Sequence, residues 1–195
     1  MKKVILVDGN NLLFRSYYAT AYQGNFMKNS KGFPTNALYG FVNMINKIIN
    51  DEKPEYMLVA FDKGKTFRHD KYEDYKAGRI EMPNELKQQF PIAKEILTNL
   101  GVKWFEIDNY EADDIVGTLS KMIDDCDDYR GLIVSSDKDL LQLITDKVIM
   151  KMLKPKDYVM MTKETFFDVY GLTPEKMIDI KALQGDSSDN IAGVK

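Results

Sequence analysis

Four short apolar runs recur along the chain with helical patterns between them: KVILV (3–7), EYMLVAF (55–61), VKWFEI (102–107) and GLIVSS (131–136). Each is too short for a stable helix and carries β-branched or aromatic residues, so each reads as a buried strand. Strands that alternate with helices select an α/β fold with a mainly parallel central sheet flanked by helices, because a parallel pair needs a crossover long enough to hold a helix. The same four runs share a second property. Acids follow each of them: Asp8, then Asp62, then Glu111 with Asp113 and Asp114, then Asp137 and Asp139. In parallel sheets the ligand site lies beyond the carboxyl ends of the strands. Such a fold therefore gathers these acids at one edge.

The rest of the pattern fills in that plan. Apolar spacing predicts helices from Leu12 to about Ala21, and from a Thr35 cap through Leu38, Phe41, Val42, Ile45, Ile48 and Ile49. Another runs from Asn84 to Leu100, with Pro91 expected to kink or split it and Gly101 to cap it. A helix over 111–123 carries the acid triplet. KVIMKM (147–152) and DYVMMT (157–162) read as strands paired through the LKPKD turn. Helices over 163–170 and 174–183 lead to GDSSDNIAGVK. At 195 residues and 44% hydrophobic, the chain can bury one core as a single domain. It has no run of about 18 apolar residues, no leader before its first strand and one cysteine, Cys126, so the expectation is a cytoplasmic protein with no membrane partner. The net charge of −3 says nothing about a polyanionic partner.

Like charges gathered at one sheet edge are costly, roughly 3 kcal/mol per pair at ~5 Å and an effective dielectric near 20. Either several acids stay protonated or cations compensate them. With oxygen donors and no convergent His or Cys, hard cations are favoured: Mg²⁺ first, with Mn²⁺ able to substitute. Asp186 and Asp189 from GDSSDN bring the candidates to nine carboxylates, more than one hydrated octahedral ion uses and suited to two ions. The competing reading is that acids at helix starts meet the macrodipole and that Asp is common in turns. It accounts for one or two of Glu111, Asp113 and Asp114, and leaves the third over.

Residues 63–82 are of another kind, an excursion too long for an ordinary connection. Within 63–79, six basic residues including Arg68, Lys76 and Arg79 face three acids, with Phe67, Tyr72 and Tyr75 interleaved. Cations for phosphates alternating with rings for bases are what single-strand binding requires. The alternative is a solvated helix with a few packed rings. His69, the only histidine, has no partner in the pattern and reads as a surface or capping group rather than a general base.

VDGNNLLFR, AFDKGKTFRHDKYEDYKAGR, YEADDIVG, SSDKDLLQL and LQGDSSDNIAGVK, in that order and spacing, resemble the 5' nuclease (flap endonuclease) superfamily, and within it the 5'-3' exonuclease domain found at the N-terminus of bacterial DNA polymerase I. The resemblance covers essentially the whole chain. It implies a PIN-like 5' nuclease fold with a helical arch after the second strand, and Mg²⁺-dependent hydrolysis of phosphodiesters near the 5' end of branched or nicked DNA, flaps and RNA primers included, in replication and repair. Asp8, Asp62, Glu111 and Asp113, with Asp114 adjoining, match the family's first metal cluster; Asp137, Asp139, Asp186 and Asp189 match the second. Arg68, Lys76 and Arg79 match the basic positions of the arch, with Arg68 and Lys76 among the catalytic groups. Phe14 falls where the family carries a ring that stacks on a terminal base, and Arg15 beside it is a phosphate candidate. Two departures stand out. Ala192 occupies a position usually held by proline, and the family continues past Lys195 into a helix-turn-helix element that grips duplex DNA. Residues 1–195 are therefore expected to be one catalytic domain truncated before that element, monomeric, weakly active alone, and either part of a polymerase chain or of a stand-alone nuclease.

Three rivals remain. A PIN-like ribonuclease also gathers acids at strand ends, but does not need the basic and aromatic excursion. A dehalogenase-type phosphatase wants a second Asp two positions after the first, where this chain has Asn10. A non-catalytic module binding branched DNA gives no reason for the clustered acids.

Overall fold

The computed structural model describes residues 1–20 and 26–194. Its centre is a six-stranded sheet in the order β3-β2-β1-β4-β5-β6. The strands are β1 (Lys2–Asp8), β2 (Tyr56–Ala60), β3 (Lys103–Phe105), β4 (Tyr129–Ser135), β5 (Val148–Leu153) and β6 (Tyr158–Met161). The first five run parallel, and β6 returns antiparallel to β5 across the LKPKD turn. Side chains alternate along each strand, so β1 sends Ile5 and Val7 to one face and Leu6 to the other. β4 does the same with Leu132 and Val134 against Ile133.

One face is covered by α1 (Gly9–Thr20), α2 (Asn36–Glu52), α4 (Asn84–Lys87) and α5 (Gln89–Asn99). The other is covered by α6 (Ala112–Asp124), α7 (Lys163–Tyr170), α8 (Met177–Gln184) and a 3₁₀ turn over Asp139–Leu143. α2 shows why this holds: Leu38, Phe41, Ile45 and Ile48 form its buried stripe, each contributing roughly 1.5–3 kcal/mol relative to exposure. Among the described residues no helix is long and apolar enough to cross a membrane.

Several boundaries differ from the sequence pattern for identifiable reasons. α1 begins three residues early, at Gly9, because Asp8 Oδ1 accepts the Asn11 N–H at 2.9 Å and caps the first turn. Its expected end at Ala21 lies outside the described residues. Thr35 does not cap α2 with its side chain, which donates to the Met27 carbonyl instead. The orphan N–H of Leu38 is met from another helix, by Gln89 Oε1 at 3.0 Å. The helix over 84–100 is split at Gln88, which leaves Pro91 in the first turn of α5, where a missing N–H costs nothing. β3 is an edge strand of three residues, so Glu111 follows it across a loop rather than at once. The excursion is not a long helical arch. Only Phe67–Lys71 forms a helix, α3, and turns follow.

Candidate metal centre and nucleic-acid interface

The β1–α1 turn is pressed against the end of β2: a Cβ on Gly9 would stand 2.5 Å from the Phe61 ring and 2.8 Å from the Ala60 carbonyl. Glycine here lets the chain run from Asp8 straight into α1 beside Asp62. Asp8 accepts from the Asn11 N–H and, at 3.0 Å, from Ser135 Oγ at the end of β4. Asp62 is held from two directions. Its Oδ1 accepts the Ala112 N–H at 2.7 Å at the start of α6, and its Oδ2 accepts Asn10 Nδ2 at 2.9 Å. Asn11 Oδ1 in turn accepts the Ser136 N–H and hydroxyl at 3.0 and 2.8 Å, fixing the loop that carries Asp137. Asp137 Oδ1 accepts the Asp139 N–H at 2.9 Å.

The last acids arrive on a two-stranded hairpin, β7 (Gly185–Asp186) with β8 (Ile191–Ala192). Gly185, at φ 71°, and Gly193 approach so closely that a Cβ on either would meet backbone 2.3 Å away. Asp186 Oδ1 accepts the Ser188 N–H and hydroxyl, which closes the turn that presents Asp189.

Asp8, Asp62, Glu111, Asp113, Asp137, Asp139, Asp186 and Asp189 all line one cavity of about 530 Å³, together with Asn10, Phe14, Lys76, Arg79 and Lys181. Asp114 does not. It accepts the Glu111 N–H at 2.9 Å as part of the α6 cap and takes both guanidinium nitrogens of Arg68, at 2.7 and 2.8 Å. Arg68 thus stands on the far side of the acids, in an adjoining cavity of about 710 Å³. Arg15 is turned away too, donating to the Lys154 carbonyl at the β5–β6 turn. Phe14 is half-buried on the cavity wall, edge-on to Phe90 with centroids 6.2 Å apart.

The excursion folds down over the acids. Lys76 Nζ bonds Glu111 Oε1 at 2.7 Å, Arg79 pairs with Asp189, and the buried Tyr75 hydroxyl lies 3.0 Å from Asp189 Oδ2 and 3.3 Å from Glu111 Oε2. His69 takes a capping role, its Nδ1 accepting the Thr66 N–H at the start of α3. Lys181, from α8, bridges Asp139 at 2.8 Å and Asp186 at 2.6 Å.

These cations serve the acids unequally. Burial, then the charges of Asp8, Asp137, Asp62 and Glu111, push the Asp113 carboxyl up to about 8. Burial pushes Asp8 up to about 7, against the bonds from Asn11 and Ser135. Asp62 and Asp139 are raised as well, again mainly by burial. Asp186 is also penalised by burial, but Lys181 and Ser188 outweigh it and hold its carboxyl down at about 2. No three carboxylates among the described residues converge at coordinating geometry on one point. The donor set is oxygen throughout, and Asp8 and Asp113 have no basic side chain bonded to them, which suits hard divalent cations.

Sequence reasoning did not single out Asn10, Asn11, Ser135, Ser136 or Lys181 for the site, and it took Tyr75 for a ring exposed to bases. The polar turns DGNN and SSD were the available signal for the first four. Lys181 carried only its position, five residues before Asp186.

The 5'-3' exonuclease, N-terminal resolvase-like domain matches residues 3–171. The chain belongs to this family. DNA polymerase I of Bacillus subtilis is 46% identical over 99% of the chain, which spans 22% of that polymerase. A 5'-3' exonuclease of the same organism is 45% identical over 99% of the chain, which spans 66% of it. The bacteriophage T5 flap endonuclease, solved as a pseudo-enzyme-product complex with DNA and metal ions, superposes with a TM-score of 0.75 at 27% identity, covering all of this chain and 70% of that one. The mainly parallel sheet flanked by helices is thus the fold of the 5' nucleases.

Proposed function

We propose that this chain is the catalytic part of a divalent-metal-dependent 5'-3' exonuclease and flap endonuclease, acting on DNA, and on RNA primers, near 5' ends of branched or nicked duplexes. The observation that carries the reading is the meeting of eight carboxylates from both halves of the chain in one cavity, lined also by the excursion's Lys76 and Arg79. Asp8, Asp62, Glu111 and Asp113 would hold one ion and Asp137, Asp139, Asp186 and Asp189 a second, Mg²⁺ being the cation best matched to carboxylates, water and phosphate oxygen. Bound ions supply Lewis-acid charge at the scissile phosphate.

The chain's own residues do the rest. Lys76 and Arg79, resting on Glu111 and Asp189, are placed to exchange those carboxylates for substrate phosphates. Arg68, held by Asp114, fixes the base of α3 and offers its remaining N–H groups to the strand. Phe14 presents a ring at the wall for a terminal base. Asp114 acts as a support, clamping α6 to α3. Residues 1–195 are read as the catalytic domain, with duplex affinity supplied by a following helix-turn-helix element, in the cytoplasm and as a monomer or fused to a polymerase. A divalent-cation titration with a labelled 5'-flap duplex, run on wild type and Asp137→Asn, tests the reading. Metal-dependent cleavage near the flap base, lost in the variant, is expected. Wild-type protein that neither binds metal nor cleaves would overturn it, and a preference for single-stranded RNA would favour the ribonuclease reading.

A further inference from the structure

We propose that Asn10 is a positioning residue that sets which divalent cation the strand-end acids accept, by fixing the plane of the Asp62 carboxylate; the proposal rests on Asp62 being a metal ligand. Asn10 and Asp62 are 52 residues apart and joined reciprocally: Asn10 Nδ2 donates to Asp62 Oδ2 at 2.9 Å, and the Asp62 N–H donates to Asn10 Oδ1 at 3.1 Å. One amide thus holds both the backbone and the side chain of the acid. The other carboxylate oxygen, Oδ1, is tied to the Ala112 N–H at 2.7 Å. With an anchor on each oxygen, from opposite elements, rotation about the Cβ–Cγ bond is blocked. Asp8 also carries a bond on each oxygen, from Asn11 N–H and Ser135 Oγ, but neither partner takes a bond back from the Asp8 backbone, so the reciprocal amide clamp sets Asp62 apart from it.

Rigidity matters to the choice of cation. Mg²⁺ and Mn²⁺ demand near-octahedral geometry and tolerate a fixed carboxylate, whereas Ca²⁺ takes six to eight oxygens in flexible arrangements and gains from a carboxylate free to turn and share both oxygens. Partners that orient a ligand typically change metal affinity ~10–100-fold when removed. Asn10→Ala leaves Asp62 hinged on the Ala112 bond alone. It weakens the small ions and relieves the penalty on the large one.

The test is direct binding, read by calorimetry, of Mn²⁺ and Ca²⁺ to wild type and Asn10→Ala. The expected result is a shift of about tenfold in the ratio of the two affinities toward Ca²⁺. A structural role alone would lower both affinities by the same factor along with the melting temperature; equal losses, or no change, overturn the proposal. Asn10→Ser, too short to reach Asp62 Oδ2 yet still suited to the turn, gives a second reading if the alanine variant folds poorly, and the same shift is expected. Absence of Mn²⁺ binding by wild-type protein would instead remove the metal reading beneath the proposal.

Discussion

The two ends of the acidic cavity solve the same electrostatic problem in opposite ways. At the strand ends, Asp8 is buried and Asp113 half-buried, with no basic side chain bonded to either, and their carboxyls rise to about 7 and about 8. At the hairpin end, Asp186 and Asp189 come with cations of the chain, Lys181 and Arg79, and Asp186 falls to about 2. The first group sits at the end of β1 and in the first turn of α6 and meets its repulsion by retaining protons. The second sits on a short hairpin and is neutralised by side chains that can swing away. On the proposed metal-dependent reading, a cation arriving from solution would displace protons at one end and lysine or arginine at the other.

The largest effect expected from breaking this contrast is at Asp113, where the charges of four other acids converge. Asp113→Asn should weaken Mn²⁺ binding by at least about a hundredfold, some 2.7 kcal/mol, measured by calorimetric titration. The same variant should raise the melting temperature of the metal-free protein at pH 8, because a neutral amide ends the repulsion.

The next effect is on pH dependence. Carboxyls raised in the folded state bind protons that the unfolded chain has already released, so they favour folding at low pH and lose that contribution as pH climbs from about 4 to about 8. Metal-free protein should thus lose stability steadily over that window, and saturating Mg²⁺ should remove most of the slope. Asp186 behaves inversely: its contribution is present above about 4 and is lost as pH falls toward 2. Urea unfolding at stepped pH, with EDTA or with Mg²⁺, separates the two ends.

Smaller changes sharpen the hairpin end. Lys181→Met should cost the metal-free protein about 1 kcal/mol, since the bridge is part-exposed, and Mg²⁺ should restore most of that loss. Smallest is Arg68→Lys, which breaks the paired contact with Asp114. It should weaken 5'-flap binding a few-fold, by fluorescence anisotropy in Ca²⁺, while leaving Mn²⁺ binding unchanged.

The strand-end acids were legible in the sequence because strand runs and helical connections are read locally: once KVILV and GLIVSS are parallel strands, Asp8 and Asp137 lie at the same edge of the sheet. The partners that organise those acids were not. Asn10 reaches Asp62 across 52 residues and Ser135 reaches Asp8 across 127, and no periodicity encodes which turn amide will face which carboxylate. The triplet in YEADDIVG divides for a similar reason. Consecutive positions at a helix start point different ways, so Asp113 faces the cavity while Asp114 turns to the cap and to Arg68. α2 begins after Thr35 as the pattern expects, but the capping bond comes from a distant residue, Gln89, which no local pattern announces. The helical arch implied by the family resemblance is only the short α3, and Tyr75 beyond it is buried between Glu111 and Asp189 in a segment that packs as turns.

Proton release tests the central claim most directly. Mn²⁺ titrated calorimetrically into metal-free protein at pH 6.5, in two buffers of different ionisation enthalpy, counts protons displaced as the strand-end carboxylates ionise. The expected result is saturable binding that releases about one to two protons, falling toward none at pH 8.5, and in Asp113→Asn binding weakened at least about a hundredfold with fewer protons released. Binding without proton release at either pH, or the same binding in Asp113→Asn, would contradict the account.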